Sequence, residues 1–251
     1  MIYKVISLKR TPERLELFNK NNPWFEYELF EAIDGRKINH KTTLGEIIAD
    51  EDIFLTATPG EIGIMLSQKA LWEECVKLNQ PITIIEDDVY LNPNFKSIVE
   101  YHESKNKDMI FWGANIDYGL TVGIFPGIST CEMTFDYPLL LENIENITKE
   151  KIYETSLIRL LFALGICCYT IQPKAAKILL ELFPIEKVLV RRGDDVAKKF
   201  QLDWKVISII QEEKIEAFLS LPMLAFTKND YKESTIQSES KKYSNPHIGK
   251  L

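Results

Sequence analysis

The sequence concentrates its chemistry where Glu86-Asp87-Asp88 follow directly on Ile82-Thr83-Ile84-Ile85. Preceded by Pro81, the apolar run reads as a short strand buried on both faces, as in a parallel sheet. Three carboxylates at the end of such a strand put negative charge where backbone solvates it least, so a cation should compensate them. In open α/β sheets, ligands bind outside the carboxyl ends of the strands, which is where these acids fall. Spacing alone leaves two readings open. One is a divalent metal holding a phosphorylated ligand; the other is a solvated strand end that caps the next turn.

Other residue groups carry a similar choice. Gly193-Asp194-Asp195 is either a helix N-cap with charge favourable to the dipole or the source of a general base. Lys9, Arg10 and Arg14 follow the first strand, as an exposed basic helix start or as ligand contacts. Asp34 is as readily a turn residue as a ligand contact. Ser67, Gln68 and Lys69 share one helical turn, which reads on its own as exposed surface. His40 and His102 sit in polar contexts and read as solvent-exposed, and His247 lies in the tail. Cys167, Cys168 and Trp72 read as core.

Strand and helix signals alternate around these groups. Residues 3–8 read as a strand, and Thr11-Pro12 supply an N-cap and first-turn proline for a helix to about Phe18. Residues 25–33 are extended and end at the turn Asp34-Gly35. Thr58-Pro59-Gly60-Glu61 combines a capping box with a first-turn proline, opening a helix that stops before Pro81. A helix around 95–102 and a buried strand over 108–114 follow. From Asn115 to about Glu154 the pattern is lost among Gly119, Gly123, Pro126, Gly127 and Pro138, and a segment of that length is usually functional or mobile. Regular structure resumes with a strand at 167–171, a helix from Pro173 to Phe183, a helix beginning at Gly193-Asp194-Asp195, and a last strand at 204–210. The expectation is an α/β fold over residues 1–227, with a mostly parallel sheet flanked by helices. A polar, mildly basic tail over 228–251 carries Lys232, Lys241, Lys242 and Lys250.

The chain has 251 residues, 45% of them hydrophobic, enough for one large domain or two small ones. A net charge of −7 argues against nucleic-acid partners, which normally need a basic face. Nothing resembles a signal peptide, and the longest apolar run, 160–171, is short of the ~20 residues a bilayer span takes. Cys75, Cys131, Cys167 and Cys168 have no metal-ligand spacing. They read as reduced thiols of a cytoplasmic protein, mostly packed as small hydrophobes.

Four stretches, VISLKRTPERLELF, AIDGR, TPGEIGIMLSQKALWEECV and ITIIEDDVYLNPNF, have the order and approximate spacing of glycosyltransferase family 25. CCYTIQPKAAKILLE resembles that family's late strand–helix unit, and GDDVAKK and ESTIQ resemble its C-terminal signatures. The resemblance covers the chain except for about 115–160. It implies a GT-A nucleotide-sugar fold, a UDP-sugar donor (commonly UDP-galactose), Mn²⁺ or Mg²⁺, and inversion at the anomeric carbon. It also implies an oligosaccharide or glycolipid acceptor of the lipooligosaccharide kind. Three positions depart from the usual pattern: Ser7 for asparagine, Gln68 for histidine, and Ile166-Cys167 for a Thr-His pair.

Carried onto this sequence, the resemblance makes Asp88 a metal ligand with Glu86, and sets Asp87 or Glu86 at the ribose or a metal-bound water. Arg10 or Arg14 would meet the uracil or pyrophosphate beside Ser7, Leu8 and Asp34. Ser67, Gln68 and Lys69 would lie next to the donor. Asp195, or Asp194, would be the base that deprotonates the acceptor, and aromatics of 115–154 would stack on acceptor sugars. The tail lysines read first as a solvated terminus, and otherwise as contacts to an anionic headgroup of the inner membrane or to the leaving diphosphate. Two other classes compete. A sugar nucleotidyltransferase should show a glycine-rich phosphate loop after the first strand, which residues 8–14 lack. A non-catalytic sugar-binding module would not need both acidic sets.

Overall fold

The computed structural model describes residues 1–38, 59–103, 105–116, 119–125, 127–182 and 202–228. Its elements begin with β1 (Ile2–Ser7), α1 (Pro12–Asn21), β2 (Glu28–Glu31) and a 3₁₀ turn (Gly35–Lys37). Next come α2 (Pro59–Leu78), β3 (Ile82–Glu86), β4 (Val89–Leu91), α3 (Phe95–Glu103) and β5 (Met109–Gly113). The second half adds β6 (Leu120–Phe125), β7 (Ser129–Met133), α4 (Tyr137–Lys149), β8 (Ser156–Phe162) and β9 (Cys168–Ile171). It closes with α5 (Pro173–Leu182), α6 (Leu202–Gln211), β10 (Ala217–Leu221) and β11 (Ala225–Thr227).

Nine strands form one sheet in the order β2-β1-β3-β9-β5-β10-β8-β6-β7, and β11 pairs with β4 alone. Only β1–β2, β1–β3 and β5–β10 run parallel, so the sheet is mixed rather than mostly parallel. The cause is β9, which runs antiparallel between β3 and β5, and the hairpin-like set β10, β8, β6 and β7.

Alternation on the central strands builds a core on each face. Ile82 and Ile84 of β3 pack with Met65, Trp72, Leu179 and Ile207 of the helices on one side. Ile85 turns to the other side, with Phe18, Phe95 and Trp112. β3 is therefore buried on both faces, as its unbroken apolar run requires. A polar seam crosses the same strands: Thr83 and Thr170 hydroxyls lie 2.7 Å apart, and Trp112 Nε1 donates to Thr170 Oγ1 at 2.7 Å. A one-residue slip of β9 would turn Thr170 out of the seam, so the seam fixes register.

Three sequence expectations fail here. The segment from Asn115 to Glu154 contains β6, β7 and α4 among its described residues, because its glycines and prolines hid a short hairpin and the helix that follows it. Residues 204–210 form part of α6, not a strand. Their β-branched residues favour strand locally, but Val206, Ile207, Ile209 and Ile210 bury one helical stripe, and tertiary packing overrides propensity. His102 is fully buried rather than exposed, with Nε2 2.9 Å from Thr155 Oγ1. Cys75, Cys167, Cys168 and Trp72 are core, as expected, while Cys131 is exposed. Among the described residues, no helix is long and apolar enough to cross a membrane.

Candidate functional site

Because β1, β2 and β3 are parallel neighbours, the residues that follow them emerge at one edge of the sheet. There they frame a cleft, open to solvent, between the ends of β1 and β3 and the first turns of α2. Ser7, Leu8, Arg10, Arg14, Asp34, Glu86 and Asp87 all line it. Seven residues read from the sequence as ligand contacts thus share one wall. An adjoining lobe runs past Arg10 and Asp34 to Lys9, Glu31 and Lys37.

The cleft is shaped by backbone approaching backbone. A Cβ on Gly35 would lie 1.8 Å from the Pro59 carbonyl oxygen, and one on Gly63 would lie 2.5 Å from that of Ile33. Only glycine fits at either position, which accounts physically for the AIDG and GEIG sequences. Ser67 fastens the same junction. Its hydroxyl donates to Gly63 O at 2.7 Å and accepts from Ile33 N at 2.8 Å. Asp34 opens the 3₁₀ turn by accepting from Arg36 N at 3.1 Å, and its other oxygen lies 3.4 Å from Arg10 Nε. That nitrogen is buried without a hydrogen-bond partner.

The three acids have unlike surroundings. Asp87 is buried and held on both oxygens. It accepts from Ser7 Oγ at 2.6 Å, from Arg14 Nε at 2.8 Å, and pairs with Arg14 Nη2 at 2.6 Å. The departure at Ser7 is therefore chemically small, since an asparagine amide can also donate there. Asp88 lies 3.4 Å from Arg14 Nη2 through Oδ2 and takes a side-chain hydrogen bond from Thr227, while its Oδ1 is buried without a hydrogen-bond partner. Glu86 is fixed by its backbone, whose N–H donates to Cys167 O at 2.9 Å.

Burial pushes the Glu86 carboxyl up to about 8, and the Asp88 charge adds to this while Arg14 opposes it. Asp88 is raised too, by burial first, against the pull of Arg14. Burial also works against the Arg14 cation, but Asp88 and Asp87 outweigh it and hold its pKa above the ordinary value. The turn thus carries more carboxylate than Arg14 neutralises. One partnerless carboxylate oxygen and a second acid with raised proton affinity are the hard donors Mn²⁺ or Mg²⁺ prefers, and two carboxylates plus ligand phosphate are enough for such ions. The donor set fits. Among the described residues there is no group of three or more His, Cys, Asp or Glu with a metal-holding arrangement.

Four expected residues, Ser67, Gln68, Lys69 and Asp88, are not among those lining the cleft. Gln68 is fully buried rather than exposed; Tyr169 OH donates to its Oε1 at 2.5 Å and in turn accepts from Trp72 Nε1 at 2.9 Å. Its Nε2 has no partner. Lys69 pairs with Glu73 at 3.6 Å and does not line the cleft. Asp194, Asp195, His40 and His247 fall outside the described residues. Sequence reasoning missed Asp203, whose charge is among those that raise Glu86. An aspartate in the first turn of α6 is a helix-start signal, hidden by reading 204–210 as a strand.

Comparison with known proteins gives the family. The profile described as glycosyltransferase family 25 (LPS biosynthesis protein) matches residues 1–191. A Haemophilus influenzae protein named "Putative glycosyltransferase" is 28% identical over 82% of this chain and 66% of its own length. A "Glycosyltransferase 25 family member" of Aedes aegypti is 35% identical over 37% of this chain. A Bos taurus "Probable inactive glycosyltransferase 25 family member 3" is 36% identical over 38% of it. The chain spans 17% and 18% of the length of the insect and bovine proteins. The match to one solved structure, "Crystal Structure of A197 from STIV", has a TM-score of 0.37 at 11% identity over 91% of this chain, too low to bear on the fold. With the profile covering three quarters of the sequence and the same segments building the cleft, the chain belongs to glycosyltransferase family 25.

Proposed function

We propose that the chain is a metal-dependent, inverting glycosyltransferase of GT-A type. It moves a sugar, galactose by family analogy, from a UDP-sugar to a saccharide acceptor of lipooligosaccharide or a related surface glycan. What supports this reading is the crowding of Glu86 and Asp88 at the carboxyl end of β3 around one cation, Arg14, with Arg10 lining the same cleft as Glu86. These two carboxylates would hold Mn²⁺ or Mg²⁺. When bound, the ion supplies positive charge against the leaving diphosphate.

Arg10 lines the cleft, its Nε without a hydrogen bond and paired only loosely with Asp34 at 3.4 Å, and binds the diphosphate or uracil. Arg14, anchored by Asp87, fixes the acid turn and contributes standing positive charge. Asp195 or Asp194 takes the acceptor hydroxyl proton from the face opposite UDP, and alignment of donor with acceptor supplies much of the acceleration. The enzyme works in the cytoplasm. A non-catalytic binding role is the second reading. It is favoured by the scaffold pairing of Arg14 with Asp87 and by the family member named as probably inactive.

A panel of UDP-sugars, with and without Mn²⁺ and a saccharide acceptor, tests this by UDP release. Asp88→Asn should remove metal-dependent UDP binding while leaving the fold intact, and Asp195→Asn should keep donor binding and lose transfer. UDP binding that survives Asp88→Asn and ignores chelator refutes the assignment.

A further inference from the structure

The loop from Ala163 to Cys167 joins β8 to β9 and passes behind the acid turn. It is held at three points. Asn115 N donates to Leu164 O at 2.8 Å, Gly165 N donates to Asp203 Oδ2 at 3.0 Å, and Glu86 N donates to Cys167 O at 2.9 Å. Gly165 has φ +74°, and a Cβ there would lie 2.1 Å from Asn115 Oδ1, so the loop has one tight conformation open only to glycine. Asp203 is itself fixed. Its Oδ1 accepts from Trp204 N at 2.8 Å, and the Trp204 ring packs on Phe162 at 5.6 Å between centroids.

We propose that Asp203 is a positioning residue for Glu86: by gripping the Gly165 amide it locks the 163–167 loop, whose Cys167 carbonyl holds the Glu86 amide at the cleft. A charged acceptor suits the task, because bonds to a carboxylate are shorter and stronger than those to a neutral group. Four of the five loop residues are buried, so local movement is passed on rather than absorbed. Asp203 touches no substrate in this account and acts through two backbone hydrogen bonds. The functional half of the inference rests on the transferase reading, and the structural half does not.

Asp203→Ala and Asp203→Asn are the test pair, since asparagine keeps one acceptor oxygen for Gly165. In hydrogen exchange of the full chain, Asp203→Ala should speed exchange of the Gly165 and Glu86 amides about tenfold or more, with α2 unchanged, and Asp203→Asn should restore most of the protection. In UDP-release assays, Asp203→Ala should raise the donor KM about tenfold with kcat per folded molecule within about twofold. A merely structural role would lower the active fraction and leave both KM and kcat per folded molecule unchanged. Normal protection of Glu86 in Asp203→Ala overturns the proposal, and so does an asparagine variant as impaired as alanine. If the unmutated protein releases UDP from no donor, the transferase reading fails, and the exchange result alone then decides the role of Asp203. Should Asp203→Ala not fold, Asp203→Ser, which retains a helix-capping hydroxyl, takes its place in both assays.

Discussion

At the β2-β1-β3 end of the sheet, parallel strands bring Leu8 to Arg10, Ile33-Asp34 and Glu86 to Asp88 to a single edge. At the β10-β8-β6-β7 end, antiparallel strands send successive connections to opposite edges, and no comparable convergence arises among the described residues. Polar satisfaction differs in the same way. Arg10 Nε, Gln68 Nε2 and Asp88 Oδ1 lack hydrogen-bond partners at or next to the first region, against His102 Nδ1 alone beside the second, which is held by apolar contacts such as Leu120, Val122, Leu160 and Leu219. Strand direction therefore decides where chemistry can gather, and the region that gathers it carries more unsatisfied polar groups than the other.

Arg14→Met should break the charged region most severely. It leaves buried Asp87 with Ser7 alone and removes the cation facing Asp88, at a cost of about 3–5 kcal/mol in urea unfolding. A loss below about 1 kcal/mol would mean that solvent already screens the acids and that the contrast is false. In the apolar region, Leu160→Ala should cost about 2–4 kcal/mol through its cavity yet leave the Kd for UDP unchanged. A shifted Kd would show that the two regions are coupled.

The pH dependence should be of opposite sense to ordinary acid denaturation. Glu86 rises from an ordinary value of 4.5 to about 8 on folding, so its contribution favours the fold below 4.5 and is lost as pH rises through about 8. Between those limits the melting temperature of the metal-free protein should fall with pH, and Glu86→Gln should flatten that slope. Added Mn²⁺ should bind more tightly with rising pH over the same window, because the ligand must lose its proton. An identical slope in Glu86→Gln would assign the effect to another group.

Much of the charged region was legible in the sequence because it rests on local signals. Pro12 opens a helix, Ile82 to Ile85 can only be a doubly buried strand, and glycines mark the tight junctions at 35 and 63. The partnership of Arg14 with Asp87 was not legible, since it spans 73 positions and no spacing rule encodes it. Nor was the inserted β9, as a strand's sequence does not state its direction. Gln68 misled for a related reason. A glutamine on a helix reads as surface, and its burial makes sense only beside Tyr169 and Trp72. Asp203 was hidden by β-branched neighbours that favour strand and yet coil in this setting.

The antiparallel insertion of β9 also bears on synthesis. The acid-bearing strand completes its amino-side pairing with β1 once residue 86 has left the ribosome, but its other edge waits for residues 168–171. For that interval the three carboxylates remain hydrated on a half-finished layer, and the energetic penalty of enclosing them falls due only when the late strand slots in. Contacts so distant in sequence slow closure. A truncation ending before residue 168 should therefore yield an exposed, pairing-competent edge that invites association between copies rather than a smaller working cleft.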